Sequence, residues 1–473
     1  MSAAALEAAR EALRHEQAWL VGGAVRDRLM HRPLGDIDLV VDGDVRAAAR
    51  HLALSAGGPA FPLSDAFGAW RVMGPEREWQ VDLCPLREGS IEADLALRDF
   101  TVNAIAEPLD GGALLDPHDG AGDLRAHRLR MVDPRAFPDD PLRVLRLARF
   151  ACELGLTPDA PTVAEARAHA ASLDRVAGER VLAELKRVVA APTALDGLEL
   201  MDELGVTAAI LPELSALGGV RQNRFHHLDV YDHTLAVVQA VLDLERDPAP
   251  LVGEEHADAV RAFLAQPLAD ELTRGEALRF GALLHDIAKP QTQLVAEDGT
   301  VLGFPAHDRA GAALGREILT RLRASERTRA HVSALARHHL RLGYLVKHRP
   351  LDLRQQYAYL LACEPVTVDV TLLSIADRLA TRGDDAAPAI ASHLELARQT
   401  IGPALAWSAY RAQAPLVRGD VLARELGIRP GPRLGPLLAA VDEARYAGQV
   451  ADEPSAVAYA AGVLEDAGPA DAP

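Results

Sequence analysis

Residues 19–41 read Trp19-Leu20-Val21-Gly22-Gly23-Ala24-Val25-Arg26-Asp27-Arg28-Leu29-Met30-His31-Arg32-Pro33-Leu34-Gly35-Asp36-Ile37-Asp38-Leu39-Val40-Val41. A short apolar run, a glycine pair, helical spacing and a second β-branched run predict strand, turn, helix and strand in succession. Such a turn lets backbone N–H groups approach a phosphate, with Arg26 one turn in to add charge, or it serves as plain connection. In a strand, residues i and i+2 share a face, so Asp36 and Asp38 present two carboxylates together while Ile37 and Leu39 face the other way. Two like charges so placed are unfavourable unless a cation sits between them. Mg²⁺ held by two carboxylates and substrate phosphates is the usual arrangement in phosphoryl and nucleotidyl transfer; a solvated strand end is the alternative.

Outward from this stretch, residues 1–125 hold the other strand-like runs, AWRVM, EWQVDLCPL and GALLDP, between Gly, Pro and Asp punctuation. From about residue 126 the apolar spacing is helical, as at Leu142, Leu145, Leu147 and Phe150 and again at Val181, Leu182, Leu185 and Val188. The expected fold is α+β: a small mixed-sheet head over 1–125, a helical neck over 126–215, an α body over 216–400 and C-terminal helices over 401–473, with a frayed acidic end. The chain of 473 residues is 49% apolar and 25% charged, which excludes collagen, wholesale disorder and disulfide-knit miniproteins. A net charge of −18 excludes a surface basic throughout and leaves room for a local basic strip. Cys84, Cys152 and Cys363 stand without CxxC spacing, offer no thiolate zinc site and fit a reducing compartment. With neither a signal-peptide pattern nor ~18 uninterrupted apolar residues, the expectation is a cytoplasmic protein with no membrane contact and no protein partner.

Three further segments carry polar heads on apolar scaffolds. Asp82 in Trp79-Gln80-Val81-Asp82-Leu83 is either a third carboxylate or an edge-strand polar residue. Arg98-Asp99-Phe100-Thr101-Val102-Asn103 surrounds an apolar stripe with Arg, Asp and Asn. Asp139-Asp140-Pro141-Leu142-Arg143-Val144-Leu145-Arg146-Leu147-Ala148-Arg149-Phe150 puts Pro near a first helical turn and aligns Arg143, Arg146 and Arg149, a stripe that by itself also fits a solvated face.

LVGGAVRD, GDIDLVV, RDFTVNAIA and DDPLRVLRLARF, in that order over residues 15–215, resemble the bacterial tRNA nucleotidyltransferase/poly(A) polymerase family (class II), whose CCA-adding members complete the tRNA 3′ end. The resemblance implies that Gly23 and Arg26 contact nucleotide phosphates and that Asp36 and Asp38 hold Mg²⁺. It implies that Arg98 meets the nucleotide's sugar or phosphates and that Asp140, Arg143, Arg146 and Arg149 read its base and tail. The implied substrates are tRNA, CTP and ATP. Glu179-Arg180 with Glu184 resembles the family's following helix, read as mainly structural.

Two features depart from the family pattern. Leu97 stands where a second arginine is common, and only fifteen residues, Leu83 to Leu97, separate Asp82 from Arg98. Full CCA-adding members carry a longer flexible segment there, so the shortness resembles CC-adding members. A lever too short to reach the reading helix implies efficient addition of CC and poor addition of the final A. Hydrogen bonding independently limits the bases. Asp140 offers only acceptors and Arg143 only donors, so the pair accepts the amino and ring-nitrogen edge of C and A and rejects U and G.

A second constellation follows in the body: His233, the dipeptide His285-Asp286 at a helix end, His307, the pair His338-His339, and Asp377. Imidazole and carboxylate together suit a borderline or hard divalent metal. Their order resembles the HD phosphohydrolase superfamily, which implies His233, His285, Asp286 and Asp377 as core ligands, with His307 and either His338 or His339 completing a second position. Mg²⁺, Mn²⁺, Ni²⁺ or Co²⁺ would support phosphate-ester hydrolysis there, the alternative being a degenerate fold kept as an RNA-binding body. For the whole chain, general-RNA poly(A) polymerase and a catalytically silent RNA-binding protein are the competing readings.

Overall fold

In the computed structural model, residues 2–35, 37–64 and 68–466 are described. Their first sheet grows from the opening stretch: β1 (Gln17–Val21) pairs antiparallel with β2 (Ile37–Asp42), joined by the helix Gly23–Leu29. With β3 (Ala60–Ser64), β4 (Ala69–Met73), β5 (Gln80–Pro85) and β6 (Ala106–Pro108), the sheet runs β3-β4-β5-β2-β1-β6. Only β2 and β5 are parallel within it, because the helix Val45–Ala56 and the β3–β4 hairpin carry the chain across between them. Val21, Val40, Leu95, Ala104 and Ala106 pack on one face, each at most 1% exposed. Leu95 or Val40 contributes about 1.5–3 kcal/mol by that burial.

The mixed sheet and the helices after it match the expected α+β class. The strand drawn from GALLDP reduces to one bridge, Leu115 with Ala106, since Gly111 and Gly112 precede it and the adjacent β6 already fills the edge of β1. Phe61 and Leu63 form the edge strand β3, which sequence spacing left unread because Pro62 interrupts it.

The chain divides into two units, Met1–Ile210 and Leu211–Pro473. The first holds the sheet together with the helices Leu142–Leu154 and Gly178–Ala190, so glycine turn and arginine helix belong to one body. The second is helical apart from two short hairpins, Pro267–Ala269 with Leu272–Thr273 and Leu294–Val295 with Val301–Gly303. Its last helices, Gly419–Glu425, Leu434–Tyr446 and Glu453–Asp466, close a small core around Leu422, Leu437 and Ala456. The end read as frayed lies, from residue 467 on, outside the described residues. Among the described residues no single helix is long and apolar enough to cross a membrane.

Candidate functional site

Gly22 turns the chain out of β1 at φ 66° and ψ −128°, a conformation open to glycine alone. A Cβ there would lie 2.9 Å from Arg98 Nη1, so the missing side chain is what lets Arg98 cross over the turn. The parallel register of β2 and β5 sets Asp38 beside Asp82. Asp36 lies outside the described residues. Arg71, directly opposite Asp82 on β4, donates Nε and Nη2 to its two oxygens, both at 2.7 Å. The third carboxylate therefore stands next to Asp38 but is matched to an arginine. Gly22, Gly23, Asp38, Arg98, Asp140 and Arg143 line one cavity of about 710 Å³, whose wall carries eight arginines and no lysine.

Most of those arginines are already paired. Arg26 is 6% exposed, donates to Asp27 Oδ1 (2.9 Å) and Asn103 Oδ1 (2.6 Å), and stands 5.1 Å over the Phe150 ring. Arg146 donates to Asp99 and Glu184, and Arg149 lies 2.8 Å from Glu184 Oε2 and 4.0 Å over the same ring. Burial alone would raise the Asp99 pKa, but Arg146 and hydrogen bonds from Asn103 and the Phe100 amide hold it far below the usual carboxylate range. Arg149 is brought down to about 10 by burial, with Glu184 opposing. So Arg146 and Arg149, expected to read the nucleotide, are committed to a buried ion-pair network that fixes their helix. Asp99, Asn103, Phe150 and Glu184 organise the site, although the sequence reading gave them no role in it. Their signal was the polar spacing of RDFTVN and of Glu179-to-Glu184, which shows no partners by itself.

The base-reading pair is pinned yet keeps capacity. Asp140 Oδ1 accepts the Leu142 amide (3.2 Å) and Oδ2 accepts Arg180 (2.8 Å). Arg143 donates to the carbonyls of Ala136 (3.2 Å) and Leu97 (2.8 Å). A carboxylate with about four acceptor positions and a guanidinium with about five donors each retain some for a base. The Leu97 bond joins the last residue of the short segment to the helix that carries Arg143. The segment is ordered by local means: Ser90 accepts the Ala93 amide at the start of the helix Ile91–Ala96, and Asp94, 1% exposed, accepts Arg87 Nε (2.8 Å) and Arg98 Nη2 (3.3 Å).

In the second unit five helical elements converge. His233 comes from the first turn of Val230–Arg246, capped by Asp229, and His285-Asp286 ends the helix Arg274–Leu284, which a Thr273/Glu276 capping box begins. His307 opens His307–Arg321, His339 follows Glu326–His338, and Asp377 lies near the end of Thr367–Ala380. His233, His285 and Asp286 form one group with metal-ligand spacing, and Asp286, His307 and His339 form another sharing the same carboxylate. Asp377 Oδ1 stands 3.1 Å from His233 Nε2. His285, His307 and His339 each direct Nδ1 to a main-chain carbonyl, of Ala282, Phe304 and Ala336, at 2.7 Å, leaving Nε2 turned inward.

His285 Nε2 and both Asp286 oxygens are buried and turned toward one another, with His285 Nε2 3.1 Å from Asp286 Oδ2 and His307 Nε2 3.3 Å from Oδ1, a donor set that fits a divalent cation. The His339 pKa falls to about 4, chiefly through burial, which keeps its nitrogen a free donor to metal. His338 is not brought to the cluster: it accepts Arg341 Nε (2.7 Å) on the far side of the helix end, and burial pulls its pKa to about 4. Lys289, three residues after Asp286, reaches its Oδ2 at 2.5 Å and donates to Gln222 at 2.7 Å. The cluster opens into a cavity of about 940 Å³ that also meets Phe225, Leu302, Tyr344 and Arg378.

Family models match segments of both units. Residues 18–87 and 71–130 match the family described as "Poly A polymerase head domain", 155–217 match "Probable RNA and SrmB- binding site of polymerase A", and 230–382 match "HD domain". An A-adding tRNA nucleotidyltransferase of Deinococcus radiodurans is 36% identical, over 93% of this chain and 94% of the relative. A CC-adding tRNA nucleotidyltransferase of Thermus thermophilus is 32% identical over 94% and 93%. A solved CCA-adding enzyme in its apo form shares the fold with a TM-score of 0.64 at 18% identity, covering 97% of this chain and 93% of that one. Identity of that order over nearly the full length of both relatives means that the chain belongs to the tRNA nucleotidyltransferase/poly(A) polymerase family, with an HD domain in its second unit.

Proposed function

We propose that the first unit transfers CMP or AMP from CTP or ATP to the 3′ end of tRNA, as a cytoplasmic enzyme. The observation that carries this reading is the single cavity in which Asp38, the glycine turn and the Asp140/Arg143 pair all meet. Asp36 and Asp38 are the proposed Mg²⁺ ligands, supported by the motif and, for Asp38, by the register that sets it beside Asp82, which Arg71 holds. Mg²⁺ when bound supplies charge neutralisation for the triphosphate and activation of the terminal hydroxyl. The chain itself orients the nucleotide: Gly22 and Gly23 let the backbone approach, Arg98 offers a guanidinium, and Asp140 and Arg143 match the donor–acceptor edge shared by C and A.

The product we propose is a partial tail, either CC or the terminal A. Leu97 and Asp94 tie the segment that would reshape the pocket to Arg143 and to Arg87 and Arg98, which favours one pocket state over switching. The two relatives matched over nearly their whole length are likewise named for one nucleotide each. Incubation with tRNA ending before CCA, after C and after CC, with CTP and ATP separately, tests this. One nucleotide class is expected to be added efficiently, and Asp38→Ala is expected to abolish the addition. Efficient building of all three residues refutes the partial tail, and elongation of unstructured RNA in preference to tRNA favours a poly(A) polymerase. Addition surviving in the Asp38 variant removes that residue's role.

For the second unit we propose a metal-dependent phosphohydrolase acting on a phosphomonoester or a 2′,3′-cyclic phosphate. His233, His285, Asp286 and Asp377 are the proposed core ligands, and His307 and His339 the second position. The two buried His/Asp groups that share Asp286 support it. A bound divalent ion supplies an activated water and polarises the phosphate.

A further inference from the structure

We propose that Arg87 and Arg98 form a phosphate clamp in the nucleotide cavity, positioned by the buried carboxylate of Asp94; the inference rests on the nucleotidyltransfer reading and adds a binding residue to it. Arg87 belongs to the short segment between β5 and Arg98 and was not among the expected contacts, yet it lines the same cavity as Asp38 and Gly22. Its Nε is fixed on Asp94 Oδ1 at 2.8 Å while its side chain stays 45% exposed. Arg98 takes the other oxygen of Asp94 at 3.3 Å, lies across Gly22, and keeps a buried Nε with no hydrogen-bond partner among the described residues.

Charge distinguishes this trio from Arg26, Arg146 and Arg149. Arg146 and Arg149 meet two carboxylates, Asp99 and Glu184, and Arg26 meets Asp27. Two guanidinium groups on the single carboxylate of Asp94 carry a net positive charge, at the place where the chain has Leu97 instead of a second arginine. Guanidinium pairs suit phosphate oxygens through parallel N–H donors. The phosphate is that of the incoming triphosphate or of the RNA primer's last linkage.

The test compares Arg87→Gln and Arg87→Lys in the full chain by steady-state kinetics, by CTP and ATP binding without tRNA, and by thermal melting. Arg87→Gln is expected to raise the nucleotide KM and the nucleotide dissociation constant about tenfold, the size of one lost charged hydrogen bond, with Arg87→Lys recovering part of the loss. A rise in the tRNA KM alone upholds the clamp with the primer phosphate as its ligand. The proposal is overturned if neither constant moves in a variant that melts like the parent, or if Gln and Lys variants fail alike with lowered melting. A parent protein that binds CTP through Arg87 but transfers to no tRNA would break the transfer reading and leave the clamp standing.

Discussion

In the proposed reading Asp140 and Arg143 divide recognition of the base between acceptor and donor, and each is held by two fixed partners. Asp140→Ala removes the group that faces the exocyclic amino of C or A and leaves the arginines that carry phosphate affinity. The ratio of kcat/KM for the preferred nucleotide over UTP is therefore expected to fall about tenfold or more, while phosphate binding changes little. Single-nucleotide addition assays with each triphosphate read it. Unchanged ratios with uniformly weaker binding would reduce Asp140 to the helix cap it also is. At this scale the sequence was informative where chemistry is local. Asp38, Arg98 and Asp140 stand in short motifs whose residue types state their task. Asp82 was ambiguous because Arg71, which claims it, lies on a neighbouring strand and is matched to it only by antiparallel register.

The reading helix Leu142–Leu154 is an element whose polar face is buried by pairing, with Arg146 on Asp99 and Arg149 on Glu184. Because the folded Asp99 pKa lies below its unfolded value, its ion pair stabilises the first unit at pH above about 4 and is lost as pH falls below that toward the folded value. Asp99→Asn is expected to melt lower than the parent at neutral pH, with the two melting curves converging as the medium is acidified from pH 4 toward pH 2. A constant difference across that range would mean that Asp99 acts through shape and not charge. None of this network was legible beforehand, since Asp99 and Arg146 are brought together by the packing of Phe100 against Phe150, rings 5.8 Å apart. The choice of His339 over His338 was hidden for a related reason. Two adjacent histidines differ only in where the last turn of the helix Glu326–His338 points them.

Across the whole molecule the two units carry separate candidate sites, each built from residues of its own unit. His285→Ala is expected to abolish metal-dependent phosphatase activity and the thermal stabilisation that Mn²⁺ gives the parent, about 2.7 kcal/mol at a hundredfold excess over the dissociation constant. Nucleotide addition is expected to stay at the parent level, measured in the same preparation. Loss of both activities would indicate a shared structural role. The fold class was legible because apolar spacing changes from strand-like to helical near residue 126, whereas the convergence of five helical elements on Asp286 required tertiary packing. The wall of the nucleotide cavity, made of arginines without a lysine, has a consequence for covalent modification. Acyl donors react with amines and not with guanidinium groups, and the side-chain amines of this chain are Lys186, Lys289 and Lys347 alone. Lys289 is 4% exposed against Asp286, Lys347 is on the surface, and Lys186 lies outside the cavity lining. An acyl donor would thus reach the exterior of this protein, and the guanidinium groups lining the nucleotide cavity would stay chemically out of its reach.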